Sequence, residues 1–156
     1  MNLKNSLFFK SFFIFFFFIF LTNTYLFSGK IKYSRAIVTT PSGTEINVEV
    51  ADTFSKRRLG LGKRTSLKKN WGMLFVFEKM GRHSFWMKDM NFSLDIIWLD
   101  NNRIVHIQEN AKPDIIGQEF PIFKPLPLAN FVLEIAAGRA NELKLNKGDL
   151  LSYNFL

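Results

Sequence analysis

Polar and apolar positions divide this chain into a short apolar head and a longer stretch where hydrophobic residues recur every second position. Residues 44–50 show the alternation most clearly. Ile46, Val48 and Val50 point one way and Glu45, Asn47 and Glu49 the other, as in a strand with one buried face. Residues 36–40 precede it across Pro41-Ser42-Gly43. Pro fixes φ and Gly tolerates positive φ, so this stretch predicts a turn and the two strands a hairpin. Asp52-Thr53 then offers an N-cap to a short helix over 54–61. Phe54, Leu59 and Leu61 supply its apolar contacts, Lys56, Arg57 and Arg58 its outer face, and Gly60 and Gly62 its end.

The stretch 71–100 holds all three tryptophans and sets charged residues among apolar ones. GMLFVF (72–77) is a continuous apolar run, as expected of a strand covered on both faces. Residues 83–90 predict a second strand, with His83, Phe85 and Met87 on one face and Ser84, Trp86 and Lys88 on the other. Asp89-Met90-Asn91 turns the chain into a third strand over 94–99. Asp100-Asn101-Asn102, which tolerates left-handed backbone, turns it again into a partner over 103–109. The linker 111–128 carries four of the five prolines. Pro lacks a backbone donor and interrupts ladders, so the linker predicts an ordered loop crossing the domain, either a plain connection or a lid over a cleft. Residues 130–136 predict a buried strand, 138–143 a short helix or turn, and 150–155 a closing strand. The sum is an α+β, mainly β domain: a compact twisted barrel-like sheet of about eight short strands with one or two short helices. The pattern lacks parallel βαβ repeats, which argues against a doubly wound fold.

The head is different. Lys4 and Lys10 precede SFFIFFFFIFL at 11–21, a charged region followed by an apolar region of signal-peptide length. Thr22 and Thr24 suit a small-residue cleavage site, whereas Leu26 and Phe27 spoil the sites near Ser28. Uncut, 11–28 gives about 18 residues, just enough to cross a bilayer at ~1.5 Å per residue. Lys10 ahead of the apolar run places the N-terminus inside. The expected organisation is a signal peptide or membrane anchor over 1–29, a tether over 30–35 and a single domain over 36–156. That domain would face the periplasm or the outside, anchored to the inner membrane or released.

Composition narrows the chemistry. There are no cysteines, which removes disulfides, thiolate catalysis and a lipid-modified N-terminal cysteine. Net charge is +8. Lys56, Arg57, Arg58, Lys63, Arg64, Lys68 and Lys69 lie between positions 53 and 77 with no acid among them. Such a run can attract acidic partners or form a solvated face; export leaves nucleic acid an unsuitable partner. No spacing demands a metal, no nucleophile elbow is present, and no glycine loop suits phosphates or dinucleotides. No metal and no cofactor are expected.

Two carboxylates remain. Asp95 shares a strand face with Ile97 and Leu99, and Glu134 lies between Val132 and Ala136. A buried carboxylate needs a partner or a raised pKa. Either each fastens the sheet, taking backbone N–H bonds or a cation such as Lys88, or they belong to a site. In the second reading His83, Lys88, Asp89, Asp95 and Glu134 gather at the mouth of a cleft lined by Trp86 and Trp98. Asp95 with Lys88 or His83 would then be acid–base groups, and Trp86, Asp89, Trp98 and Glu134 would hold a ligand.

GMLFVF, FWMKD and SLDIIWLD, with FVLEIAAGRA and KGD near the end, carry a resemblance. They resemble the bacterial and archaeal family known as domain of unknown function 192, over about 36–155. Asp89 stands where that family has Asn, Ser93 where it has Pro, and the helix over 54–61 is basic where the family's is acidic. The resemblance implies a shared fold and an acid at position 95, but no established reaction. Three classes of function are left: a ligand-binding or accessory module of the cell envelope, an acid–base enzyme, and a protein-interaction module docking through the basic helix.

Overall fold

The computed structural model describes residues 31–113 and 121–156. The expected signal peptide or anchor, and 114–120 of the linker, lie outside the described residues. Among those described, no helix is long and apolar enough to cross a membrane.

Among the described residues, nine strands and two short helices follow in order: β1 (Ser34–Thr39), β2 (Glu45–Ala51), α1 (Phe54–Leu59), β3 (Trp71–Gly81), β4 (Phe85–Trp86), β5 (Leu94–Asp100), β6 (Arg103–Ala111), β7 (Ile122–Phe123), β8 (Ala129–Ala136), α2 (Arg139–Glu142) and β9 (Ser152–Phe155). Seven of them make one twisted sheet in the order β6-β5-β8-β3-β2-β1-β9, and β4 pairs with β7 in a separate two-stranded sheet. The large sheet is not closed into a barrel. An isolated bridge joins Arg103, at the start of edge strand β6, to Leu150, two residues before edge strand β9.

The expected hairpin is present. Thr40 N donates to Thr44 O at 3.0 Å, and Gly43 takes φ +82° in the turn. Every neighbouring pair in the large sheet is antiparallel except β2–β3. That parallel pair needs a crossover, and α1 lies within it, so one βαβ unit is present, without repeats of it among the described residues. The linker contributes β7, which raises the strand count above the eight expected.

Strand alternation explains where the core sits. On one face of the sheet Val38, Val48, Leu74, Ile97 and Leu133 pack under α2, whose Ala140 joins them. On the other face Met73, Phe75, Ile96, Trp98 and Val132 pack with Leu61 and Met87. Both faces are therefore covered, and β5, next to edge strand β6, is buried from Leu94 to Leu99.

Two expectations are corrected. Residues 83–90 do not form one strand: Met87 sinks into the core at 0% exposure, and the chain turns immediately after, with Asp89 at φ +59°. Only Phe85–Trp86 remains strand. The helix ends at Leu59 because Gly60 leaves the helical region at φ 52°, ψ −137°. Its faces also differ from expectation. Thr53 caps it through Lys56 N as predicted, but Phe54 is 72% exposed, and of its predicted contacts only Leu61, beyond the helix, is buried.

Candidate functional site

The second face of the sheet carries a cavity of about 180 Å³. Glu134 forms part of its lining, together with Arg57, Phe75, Phe77, His83, Phe85, Trp86 and Lys88. Register explains the convergence. Glu134 on β8 sits opposite Met73 on β3 and Ile96 on β5. Its side chain therefore leaves the sheet on the same face as Met73, Phe75 and Phe77.

Glu134 is 5% exposed. Among the described residues no hydrogen bond or ion pair reaches its carboxyl group. Burial without a compensating charge disfavours the ionised form and pushes its pKa up to about 8. The group is thus a neutral acid at pH 7, able to donate a hydrogen bond or release a proton. Gly72 fixes its backbone. A Cβ at position 72 would lie 2.5 Å from Glu134 O and 3.1 Å from Ile135 Cγ2, so only glycine lets β3 and β8 approach this closely.

The walls are held by specific contacts. Arg57, expected on the outer face of its helix, turns inward. Its Nη1 donates to Asp52 O at 2.8 Å and Val76 O at 2.7 Å, and its guanidinium lies 5.0 Å from the Phe77 ring centroid. The His83 ring stacks on Phe77 at 3.6 Å and 8°, and its Nε2 lies 3.1 Å from Lys79 O. Phe75 and Phe85 meet edge to face at 4.8 Å. Trp86 is 52% exposed, and Lys88 Nζ lies 5.8 Å from its ring centroid.

The structure divides the predicted constellation. His83, Trp86, Lys88 and Glu134 come together around the cavity. Asp95 does not join them. It leaves β5 on the opposite face, at 0% exposure, where Oδ1 accepts from Asn110 N at 2.9 Å and Oδ2 from Ala140 N at 2.8 Å. Both oxygens are occupied by backbone donors, so Lys88 is not its partner and no proton-transfer geometry links it to His83. Trp98 does not line the cleft either. It is fully buried behind it, donating Nε1–H to His83 O at 2.8 Å and packing edge to face on Phe85 at 5.8 Å. Asp89 is exposed, and its carbonyl accepts from Lys63 N at 2.8 Å. Its left-handed φ suits Asp or Asn, which accounts for the residue type at this turn without a ligand.

Sequence reasoning missed Arg57, Phe75 and Phe77. The parity of 72–77 was readable: Met73, Phe75 and Phe77 oppose Leu74 and Val76. Which parity shares a face with Glu134 depends on the β3–β8 register, which the pattern does not encode.

Comparisons with known proteins agree with this picture at the level of family. The model of domain of unknown function 192, described as uncharacterized ACR, matches residues 37–153. A UPF0127 protein of Thermococcus kodakarensis is 33% identical over 110 residues, 68% of this chain and 64% of its own. One from Thermococcus gammatolerans is 32% identical over 113 residues, 69% of this chain and 67% of its own. The chain thus spans about two thirds of these curated relatives, just under that share for the first. A solved structure from Sinorhizobium meliloti, whose name suggests a transcription regulator, superposes with TM-score 0.71 at 31% identity, covering 80% of this chain and 98% of that one. A protein of unknown function from Novosphingobium aromaticivorans superposes with TM-score 0.68 at 29% identity, covering 82% and 89%. With the match running across both the strands that carry the cavity and the helix that covers the other face, the chain belongs to the family known as domain of unknown function 192.

Proposed function

We infer that this domain is a small-ligand-binding module of the cell envelope, exported or held at the membrane by residues 1–29, with the Glu134 cavity as its site. One observation carries the binding reading: a buried carboxyl group with no partner among the described residues opens on a cavity walled by aromatic rings. Buried polar groups are ordinarily satisfied, because leaving one unpaired costs free energy. Glu134 faces the cavity, where a ligand oxygen would give its carboxyl group a fixed partner. Support for export comes from Lys4 and Lys10 ahead of the apolar run at 11–21.

An acid–base enzyme is the second reading, and Glu134 rather than Asp95 now favours it. A carboxyl group with a pKa near 8 in a cleft is poised for proton transfer near neutral pH. Docking through the basic helix has less support, since Lys56 is paired with Asp52 at 2.7 Å and Arg57 turns into the cavity.

Two measurements test the proposal. Thermal-shift screening of the full-length protein against small envelope metabolites should return stabilising ligands whose effect is lost in Trp86→Ala. Stabilisation unchanged in that variant would remove the cavity as the site. A periplasmic reporter fused after Leu156 should be active and a cytoplasmic one silent; the reverse would refute export.

A further inference from the structure

We propose that the cavity takes a small planar carboxylate, bound with Glu134 as its hydrogen-bond donor. The inference rests on the ligand-binding reading above and adds the ligand's chemical class.

Three features of the cavity select that class. The first is charge. The titratable and charged groups lining the cavity with Glu134 are Arg57 from α1, His83 from the β3–β4 loop, and Lys88 just after β4. β3 and β5 face Glu134 with Met73 and Ile96, which carry no charge. The Arg57 guanidinium is held by two carbonyl oxygens and lies within electrostatic reach of the Asp52 carboxylate, but forms no salt bridge with a carboxylate among the described residues. A cationic ligand would enter beside this fixed charge and could gain an ion pair with Glu134 only by ionising it in a site that desolvates it. An anion faces neither cost.

The second feature is the donor. Glu134, neutral because it is buried, presents one O–H. A hydrogen bond from a carboxylic acid to a carboxylate is short and stronger than a neutral pair. Nothing else among the described residues satisfies that O–H, so the ligand's oxygen would be its acceptor.

The third is shape. Phe75, Phe85 and Trp86 offer flat aromatic surfaces to a planar body. At about 180 Å³ the space is below the ~300–1,000 Å³ of drug-sized pockets. A single ring bearing one carboxylate suits it.

Proton linkage makes the proposal measurable. Only the protonated form of Glu134 donates, so apparent affinity follows its protonated fraction. With the pKa at about 8, the fraction falls about tenfold between pH 7 and pH 9. The test is calorimetric titration of the full-length protein, in an uncharged detergent, with benzoate, benzylammonium and benzyl alcohol as probes. Benzoate should bind best at pH 7 and weaken about tenfold at pH 9. Glu134→Gln keeps an N–H donor and cannot titrate, so it should bind benzoate with no such loss across that interval.

The failures are distinguishable. Benzylammonium binding better than benzoate, and tightening as pH rises, would overturn the anion class and leave the ligand site standing. Benzoate binding whose pH dependence persists in Glu134→Gln would move the donor to another group and overturn the role of Glu134. Silence from all three probes at both pH values would overturn the proposal and weigh against the ligand-binding reading beneath it. The wild-type series alone decides the charge class, so the test does not depend on the variant folding.

Discussion

Replacing Glu134 with Gln should make the protein more stable at pH 8 and change it little at pH 5. In the unfolded chain this carboxyl group ionises around its ordinary value of 4.5, whereas burial holds its proton to about pH 8 in the fold. Between those values the folded state binds one more proton than the unfolded state, so stability falls as pH rises through the window and levels off above it. Each pH unit is worth ~1.4 kcal/mol. Allowing for partial titration at both ends, the loss between pH 5 and pH 8 is about 3–4 kcal/mol. That is a large part of the ~5–15 kcal/mol that holds a typical domain together. Gln has nearly the same shape and no charge to desolvate, so it removes the linkage. Other shifted groups titrate outside the window. Lys56 holds Asp52 below its ordinary value, and Arg139 does the same for Glu142; their contributions are lost only as pH falls through the acid range. Burial raises Tyr33 and Tyr153 above the ordinary tyrosine value. Urea unfolding of both proteins at pH 5, 6.5 and 8, compared at equal slope, reads the effect directly. Parallel stability curves for wild type and Gln variant would refute the reasoning, because they would mean that Glu134 is already ionised or partnered in the native protein.

Other substitutions probe the scaffold. Asp95→Asn should destabilise by ~2 kcal/mol in denaturant unfolding, because the amide keeps one acceptor for Ala140 N and sets an N–H donor against Asn110 N; a neutral or stabilising result would contradict the fastening role. Gly72→Ala should cost ~1–3 kcal/mol, since its methyl would meet Glu134 O at 2.5 Å and β8 must shift. The same variant should weaken benzoate binding in calorimetry. Arg57→Ala should cost ~1–3 kcal/mol through the loss of two charge-assisted bonds to carbonyls. Arg58→Glu should stay within ~1 kcal/mol of wild type, as surface charges do, whereas Lys56→Glu should cost more, because the Lys56 side chain is 16% exposed and paired with Asp52 at 2.7 Å; equal effects at positions 56, 57 and 58 would restore a uniform outer face.

The mainly β domain was legible because its strands alternate cleanly, as in Ile46, Val48 and Val50, or run apolar throughout, as in residues 72–77. Turn chemistry at Gly43 and at Asp100-Asn101 marked the hairpins. What escaped was pairing. Nothing local says that β8 lies between β3 and β5, and that placement alone brings Glu134 to Phe75 and Phe77. Residues 83–90 misled because their alternation is real but Met87 is claimed by the core, and tertiary burial overrode strand continuation. The helix misled for a related reason. Its basic face looked solvated, yet the carbonyls of Asp52 and Val76 draw Arg57 inward. A guanidinium can satisfy such oxygens while stacking on a ring, so the positive residues of one short helix need not share one environment.

Asp95 and Glu134 show how an alternating pattern can equate two groups with opposite roles. They lie on adjacent strands, with Asp95 opposite Ile135 and Ile96 opposite Glu134. The one-residue offset sends the two carboxyl groups to opposite faces of the sheet. On one face Asp95 finds two backbone donors, from the end of β6 and the start of α2. It ties together segments far apart in sequence, and nothing is left over for a substrate. On the other face Glu134 finds apolar side chains and a cavity, and the fold holds it at the expense of stability above pH 5. A scaffold alone gives no reason to keep an acid there, since a neutral isostere would serve it better. Groups retained at a cost to stability concentrate where function uses them. On the proposed reading, the carboxyl group that faces the cavity, rather than the one fastened by backbone donors, is the candidate for the site.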